Sequence, residues 1–432
     1  MVKILSETKF LIRKFKDYYE KNLKNIPEVS SFSEREFAFI PWGDKFMKRH
    51  MGFSSIDFFK KLLTKNGPRH VYYSGALYKH PEVQHMEQKG YEQCDFLIDI
   101  DVDHFYTPCK VDHDYWFCKE CFHNGSGIVN ECKKCGSSKL KKLSWICKDC
   151  LNIAKNEIKK LIDNFLIPDF GINYEEMLIA FSGHRGYHLK IESEHLRNLN
   201  GDERREIVDY LTGENLDFEV LGLNKRRETV FGLSKESIGW SQKLIEEFER
   251  LLINRDELSK FLRTLDFKTS RPDFLINSFL NTTEILYEVI NNKNYNEWSV
   301  EGFDINKWKI FLNGLASRVG AEIDEPVSID THRLIRYPSS LHGKTGFKVQ
   351  ELSIEELDDY NPLDESNPLL DPIVFQQEDV AIQLEITEEN VPKTILKGTE
   401  FGPYVKGDIS SFPSYMAIFL LCKQVAKPMS RY

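Results

Sequence analysis

The stretch DFLIDID, residues 95–101, carries two carboxylates two positions apart, Asp99 and Asp101. Side chains alternate faces along an extended strand. Phe96, Ile98 and Ile100 therefore share one face and Asp99 and Asp101 the other, about 6–7 Å apart at Cα. Such a pair suits one hard divalent cation, or two cations about 3.5–4 Å apart that share carboxylate bridges. That arrangement orients a nucleoside triphosphate and lowers the pKa of an attacking hydroxyl. Two surface acids at a solvated strand end are the competing reading. The apolar flanks favour the metal, because burial would crowd like charges unless a cation offsets them.

Nine cysteines are present, seven of them between Cys109 and Cys150; only Cys94 and Cys422 lie outside. Clustered C-x-x-C spacing points to zinc rather than disulfides. Cys118, Cys121, Cys132 and Cys135 form two knuckles that close a tetrahedral site of zinc-ribbon type. Cys109, Cys147 and Cys150 lack only a fourth ligand, for which His113, His104, His123 or a carboxylate compete. His113, four residues after Cys109, is the preferred one. Both sites are expected to be closed and structural, with one or two Zn²⁺ in all. Lys133, Lys134, Lys139, Lys141, Lys142 and Lys148 make this lobe basic, as a phosphate-contacting surface or simply as a solvated one.

Two further segments concentrate cations. SGHRGYH, residues 182–188, places Ser182, His184, Arg185 and His188 around a glycine turn, which either cradles phosphates or is an ordinary hairpin turn. DTHRLIRYPSSLHGKTGF, residues 330–347, contributes Arg333, Arg336, His342 and Lys344. Its GKT is not a P-loop, since Pro338 stands where the first glycine is required. Asp324 upstream is a candidate third carboxylate, with Asp330 competing.

These side chains need rigid supports. Residues 36–42, 70–77 and 94–102 read as strands, and 177–192 as strand, tight turn, strand. Residues 6–24, 151–166, 240–298, 303–320 and 413–426 carry helical periodicity, and 326–350 reads as strand and loop. The chain of 432 residues is 41% hydrophobic, enough for a core, and has no run near the roughly 20 apolar residues a membrane helix needs. Together with an N-terminus lacking a signal-peptide core, this leads us to expect a soluble, cytoplasmic protein. The net charge of −9 (58 − 67) resides in residues 351–432, where 6 Lys/Arg face 15 Asp/Glu. The first 350 residues are then neutral overall, and the total charge does not exclude a nucleic-acid partner.

Taken in order, DFLIDID, the cysteine insert after it, SGHRGYH and the block from Asp324 through RLIRYPSSLHGKTG resemble the small catalytic subunit of archaeal and eukaryotic-type DNA primase. The resemblance runs from about Arg35 to Asn361. It implies a mixed α/β primase core, with a zinc-binding insertion at 105–150 and a helical insertion at 240–300. Core segments would be 1–104, 151–239 and 301–362, with an acidic segment, 363–432, packing on the core. By resemblance, Asp99, Asp101 and Asp324 are the metal-binding triad for Mg²⁺ or Mn²⁺, and the spacing to His342 favours Asp324 over Asp330. Ser182, Arg185, His188, Arg336 and His342 match nucleotide-contacting positions, and Glu36 and Arg49 resemble the family's N-terminal polar pair. Cys109, Cys147 and Cys150 match the family's zinc knuckle, and the Cys118–Cys135 ribbon is an addition. The implied activity is primer synthesis on single-stranded DNA from NTPs or dNTPs at replication forks. The implied partner is the large subunit, whose family carries an iron–sulfur cluster; this chain has no spare cysteine set for one. A stand-alone primase-polymerase of the same superfamily and a non-catalytic zinc-ribbon scaffold are the alternatives. The acidic triad argues against the scaffold.

Overall fold

Two antiparallel sheets carry the chemistry-bearing residues. In the first, His70–Tyr78 is flanked on one side by Arg35–Ile40 and on the other by Leu334–Arg336 and Tyr91–Cys94, and Lys48–Met51 extends it beyond Arg35–Ile40. The second runs in the order Gln350–Leu352, Met177–Phe181, Gly186–Ile191, Phe96–Asp101. Every residue of Gly186–Ile191 is buried, which explains why its lysine and histidine need partners. The structure is a computed structural model that describes residues 6–292, 296–376 and 381–429. Short parts of the expected segments 1–104, 240–300 and 363–432 lie outside the described residues.

Buried ion pairs fix the Phe96–Asp101 strand. Arg35, from the first sheet, reaches Asp95 at 2.7 Å with both side chains fully buried, and donates to the Ser74 carbonyl at 2.8 Å. Arg197 takes the other Asp95 oxygen at 2.7 Å. A buried carboxylate needs such pairing, so Asp95 anchors the start of the Phe96–Asp101 strand.

Behind the second sheet lies the helix Lys148–Leu161. Cys150, Leu151, Ala154, Ile158 and Leu161 are its buried face, at the spacing of an amphipathic helix. The lobe preceding it holds a small sheet, ordered Asn124–Ser126, Tyr115–Cys118, Leu140–Leu143. The C-terminal segment forms a sheet of its own, Ile382–Ile386 between Ile409–Phe412 and Ala426–Pro428. Its helix Ser414–Cys422 is buried all round from Met416 to Cys422, as its uninterrupted apolar run requires. Where strand and loop were expected at 326–350, the chain first makes a short helix, Glu325–Ile329, started by Pro326. Proline suits a first helical turn, because the N–H it lacks would have no partner there.

The chain divides into two compact units: residues 1–162, 171–204 and 323–432, and residues 163–170 with 205–322. The second unit extends on both sides of the 240–300 helices. Its core is aromatic: Phe248 meets Phe311 at 4.8 Å between ring centroids, and Trp298 meets Trp308 at 4.8 Å. Gly232 is required there, since a Cβ would lie 1.7 Å from the Trp298 ring. Among the described residues no helix is long and apolar enough to cross a membrane.

Candidate active site

Backbone contacts set the three acids on one strand and the loop beside it. Gly186–Ile191 pairs with Phe96–Asp101 so that His188 lies opposite Asp99 and Gly186 opposite Asp101. A side chain at Gly186 would meet the Ile100 carbonyl oxygen at 2.1 Å, so only glycine allows this approach. The Asp324 amide donates to the Asp99 carbonyl at 2.9 Å, which brings the loop before Glu325–Ile329 to the strand. The competing Asp330 is instead engaged by Arg333 at 3.3 Å and His332 at 3.5 Å.

The Asp99 carboxyl is pushed up to about 8, chiefly by burial and then by Asp101, with Asp324 adding and Arg336 opposing. One of its oxygens, Oδ1, is buried without a hydrogen-bond partner. Three hard oxygen donors in mutual repulsion, one of them orphaned, fit a divalent cation.

Cations and histidines ring the carboxylates. His188 Nε2 stands 3.4 Å from Asp99 Oδ1. Burial and Arg336 lower the His188 pKa to about 3, so the ring is neutral. Arg336 donates from Nη1 to His70 Nδ1 at 2.8 Å and packs 5.2 Å from the Tyr72 ring. His342 is stacked on His184 at 5.1 Å and meets His70 edge-on at 4.9 Å. Burial drives the pKa of all three rings well down. Their bonds agree: His342 Nδ1 accepts from the Lys344 amide at 3.2 Å, and His184 Nε2 receives Lys423 Nζ at 3.0 Å. The Thr345 hydroxyl donates to the Gly183 carbonyl at 2.6 Å, so the glycine turn and the HGKT loop are locked together. Ser182 is buried in that turn, where its Oγ accepts from the His184 amide at 3.3 Å.

Arg185 departs from the expectation of a side chain presented at the turn. It is 1% exposed. Its Nη1 donates to both Asp114 oxygens at 2.8 Å and to the Trp145 carbonyl at 2.9 Å, and Nη2 pairs with Asp103. A guanidinium this deep needs carboxylate partners, and these tie the turn to the cysteine lobe. Glu36 and Arg49 form a pair at 2.8 Å, with Glu36 also 3.1 Å from Lys89 and accepting the His50 amide at 3.2 Å. Burial raises the Glu36 carboxyl, but Arg49, Lys89 and that amide together hold it below its ordinary value. Arg49 is thereby held on the sheet edge, where Nη2 also reaches the His332 carbonyl at 3.3 Å.

Both cysteine sets are assembled. In each of Cys118, Cys121, Cys132, Cys135 and Cys109, His113, Cys147, Cys150, the ligand atoms lie within 4.8 Å of one another. Sulfur separations of 3.6 Å (Cys118–Cys135) and 3.5 Å (Cys121–Cys132) are close to the ~3.8 Å edge of a tetrahedral Zn–S₄ site. In the second set His113 Nε2 is 3.4 Å from Cys150 Sγ, and Nδ1 is bonded to Asp114 at 2.9 Å. That outer bond fixes the tautomer that leaves Nε2 free for a metal.

Sequence reasoning passed over Asp103, Asp114, His70 and Lys423. Asp103, Asp101 and His184 also form a compact group of possible ligand atoms. The signal for Asp103 was available, because DIDVD continues the same alternation for one more step.

In this antiparallel α/β core, three acids on one strand and its neighbouring loop, with cations and histidines about them, make a site suited to a divalent cation beside an anionic ligand. A family model described as DNA primase small subunit matches residues 138–354. The chain is similar to the DNA primase small subunit PriS of Archaeoglobus fulgidus, at 32% identity over 96% of each chain. It is also similar to those of Methanothrix thermoacetophila, at 30% over 97% of this chain and 98% of the relative, and Cenarchaeum symbiosum, at 28% over 96% and 97%. The chain belongs to the DNA primase small subunit family.

Proposed function

We propose that this chain catalyses template-directed nucleotidyl transfer by a two-metal route, starting primers on single-stranded DNA. The supporting observations are the Asp324–Asp99 backbone bond, which sets a third acid beside the strand that carries Asp99 and Asp101, and the Asp99 Oδ1 left without a hydrogen-bond partner. Asp99, Asp101 and Asp324 would hold Mg²⁺ or Mn²⁺, which supply Lewis acidity to the attacking 3′-hydroxyl and the leaving pyrophosphate. Arg336, a fixed cation, neutralises triphosphate charge. Neutral His188 and His342 offer N–H donors without adding to the cation crowd, and Ser182 adds a hydroxyl. Glu36 holds Arg49 ready for the nucleotide. Arg185 acts through Asp103, keeping the end of the catalytic strand in register. Zn²⁺ in the two cysteine sets serves structure only.

The relatives' designation as small subunits supports a heterodimer with a primase large subunit. The proposal is tested by primer synthesis on single-stranded template with NTPs or dNTPs, with and without a large subunit. Metal-dependent oligonucleotides are expected in both cases, and more of them from the heterodimer. No synthesis in either would refute it.

A further inference from the structure

The helix Ser414–Cys422 delivers the residue after it, Lys423, to the glycine turn. Lys423 is half-buried. Its Nζ donates to the Ser144 carbonyl at 2.7 Å and lies 5.5 Å from the Phe419 ring and 5.8 Å from the Trp145 ring. The next carbonyl, that of Trp145, accepts from Arg185 at 2.9 Å. Two cations therefore hold the Ser144–Trp145 segment, and both lead to the same turn. Arg185 belongs to it, and Lys423 bonds its His184.

Burial and then Arg185 and Lys344 lower the lysine's pKa, with Asp114 opposing. Its contact with solvent, the two aromatic rings and the carbonyl favour the ammonium form. An ammonium group only donates. At 3.0 Å from it, His184 Nε2 must supply the lone pair, so the ring carries its proton on Nδ1. That bond also takes Nε2 out of metal ligation, although His184 stands in a compact group with Asp101 and Asp103. Burial, and next the Lys423 charge, keep the His184 ring neutral.

His342 meets two rings, each fastened at one nitrogen by a cation. Its edge-on neighbour His70 is held by Arg336 at 2.8 Å, with the Gly343 amide at 3.3 Å on the same nitrogen. Its stacked neighbour His184, 10° from parallel, is held by Lys423. Gly183 packs so closely that a side chain there would come within 2.7 Å of His342 Cβ. His342 Nδ1 accepts from the Lys344 amide, so its proton is on Nε2. Without Lys423, His184 could turn over and exchange its nitrogens, and the ring stacked on it would lose a fixed partner.

We propose that Lys423 is a positioning residue: by fixing the tautomer and plane of His184, it holds the His342 N–H in place for the nucleotide. The proposal rests on the catalytic reading, in which His342 donates to the triphosphate.

Nitrogen NMR of the full chain with isotope-labelled histidine reads the tautomer, with His184 assigned by the signal lost in His184→Gln. Wild type should show a bare Nε2 and a protonated Nδ1. Lys423→Met, of nearly the same length, should show both tautomers, and Lys423→Arg should restore the single one. A protonated Nε2 in wild type, or an unchanged spectrum in Lys423→Met, would overturn the proposal. Primer extension reads the consequence. Lys423→Met should lower kcat about tenfold, with template Kd within about twofold. Placed in His342→Ala, the same change should cost less than about twofold, because the residue it acts through is gone. A general structural defect would multiply the two losses, and that outcome would overturn the proposal. Should Lys423→Met fail to fold, the wild-type tautomer still decides the bond. Lys423→Arg then decides its role: it should keep most of the wild-type kcat, and loss of most of it would overturn the role. If wild type made no primers, the catalytic reading would fail, and the spectra alone would uphold or overturn the Lys423–His184 bond.

Discussion

Asp99 is held in a half-buried, repulsive setting, and this has consequences with a definite sign. Its folded pKa, about 8, lies above the ordinary 3.8. The folded state then keeps a proton that the unfolded chain gives up, so this group's contribution to stability falls as pH rises from about 4 to about 8. Without divalent metal, Asp99→Asn should be more stable than wild type above pH 8, by an amount on the order of a few kcal/mol. Denaturant titration at pH 5 and 8.5 checks this: the gain should be several-fold larger at the higher pH. At limiting Mg²⁺, activity should rise up to about pH 8, and saturating metal should move the midpoint to lower pH. Arg185→Ala would strand the Asp114 and Asp103 carboxylates, with an expected loss of about 3–5 kcal/mol of stability; a thermal melt measures it. Strand alternation alone pairs Asp99 with Asp101, and only the resemblance chose Asp324 over Asp330, because a loop more than 200 residues along the chain reaches the strand through a backbone bond that spacing does not encode. The sequence could not show that Arg185 turns inward, since that depends on Asp114, 71 residues away in the chain.

At the scale of elements, the second cysteine set is wired to the end of the Phe96–Asp101 strand. His113 bonds Asp114, Asp114 bonds Arg185, and Arg185 bonds Asp103, two residues from Asp101. Among the described residues the ribbon's ligand shell has no such connection, its core partners being Trp116, Val129 and Leu140. Elemental analysis should find close to two zinc per chain. Cys150→Ser should impair both the lobe and catalysis, whereas Cys132→Ser should unfold the ribbon and leave nucleotide binding at the triad nearly intact. Equal effects of the two substitutions would contradict this wiring. The long strands and amphipathic helices were readable from periodicity. The C-terminal sheet was not: its strands of three to five residues are too short for alternation to register, and they pair across an intervening helix.

At the scale of the whole molecule, the chain carries two cores rather than one. The second unit, built around Trp298, Trp308, Phe248 and Phe311, holds none of the candidate site residues. Trp308→Ala should cost that unit about 3–5 kcal/mol, visible as an earlier tryptophan-fluorescence transition on denaturation. The acidic balance of residues 351–432 leaves the rest of the chain neutral. The central claim is that three carboxylates on one strand and its neighbouring loop carry metal-dependent primer synthesis. The most direct test compares wild type and Asp101→Ala on single-stranded template with nucleotides and Mg²⁺ or Mn²⁺. The account predicts a rate loss of at least about 10³, near 4 kcal/mol of transition-state stabilisation, with template affinity little changed. Primer synthesis by Asp101→Ala at close to the wild-type rate would contradict it.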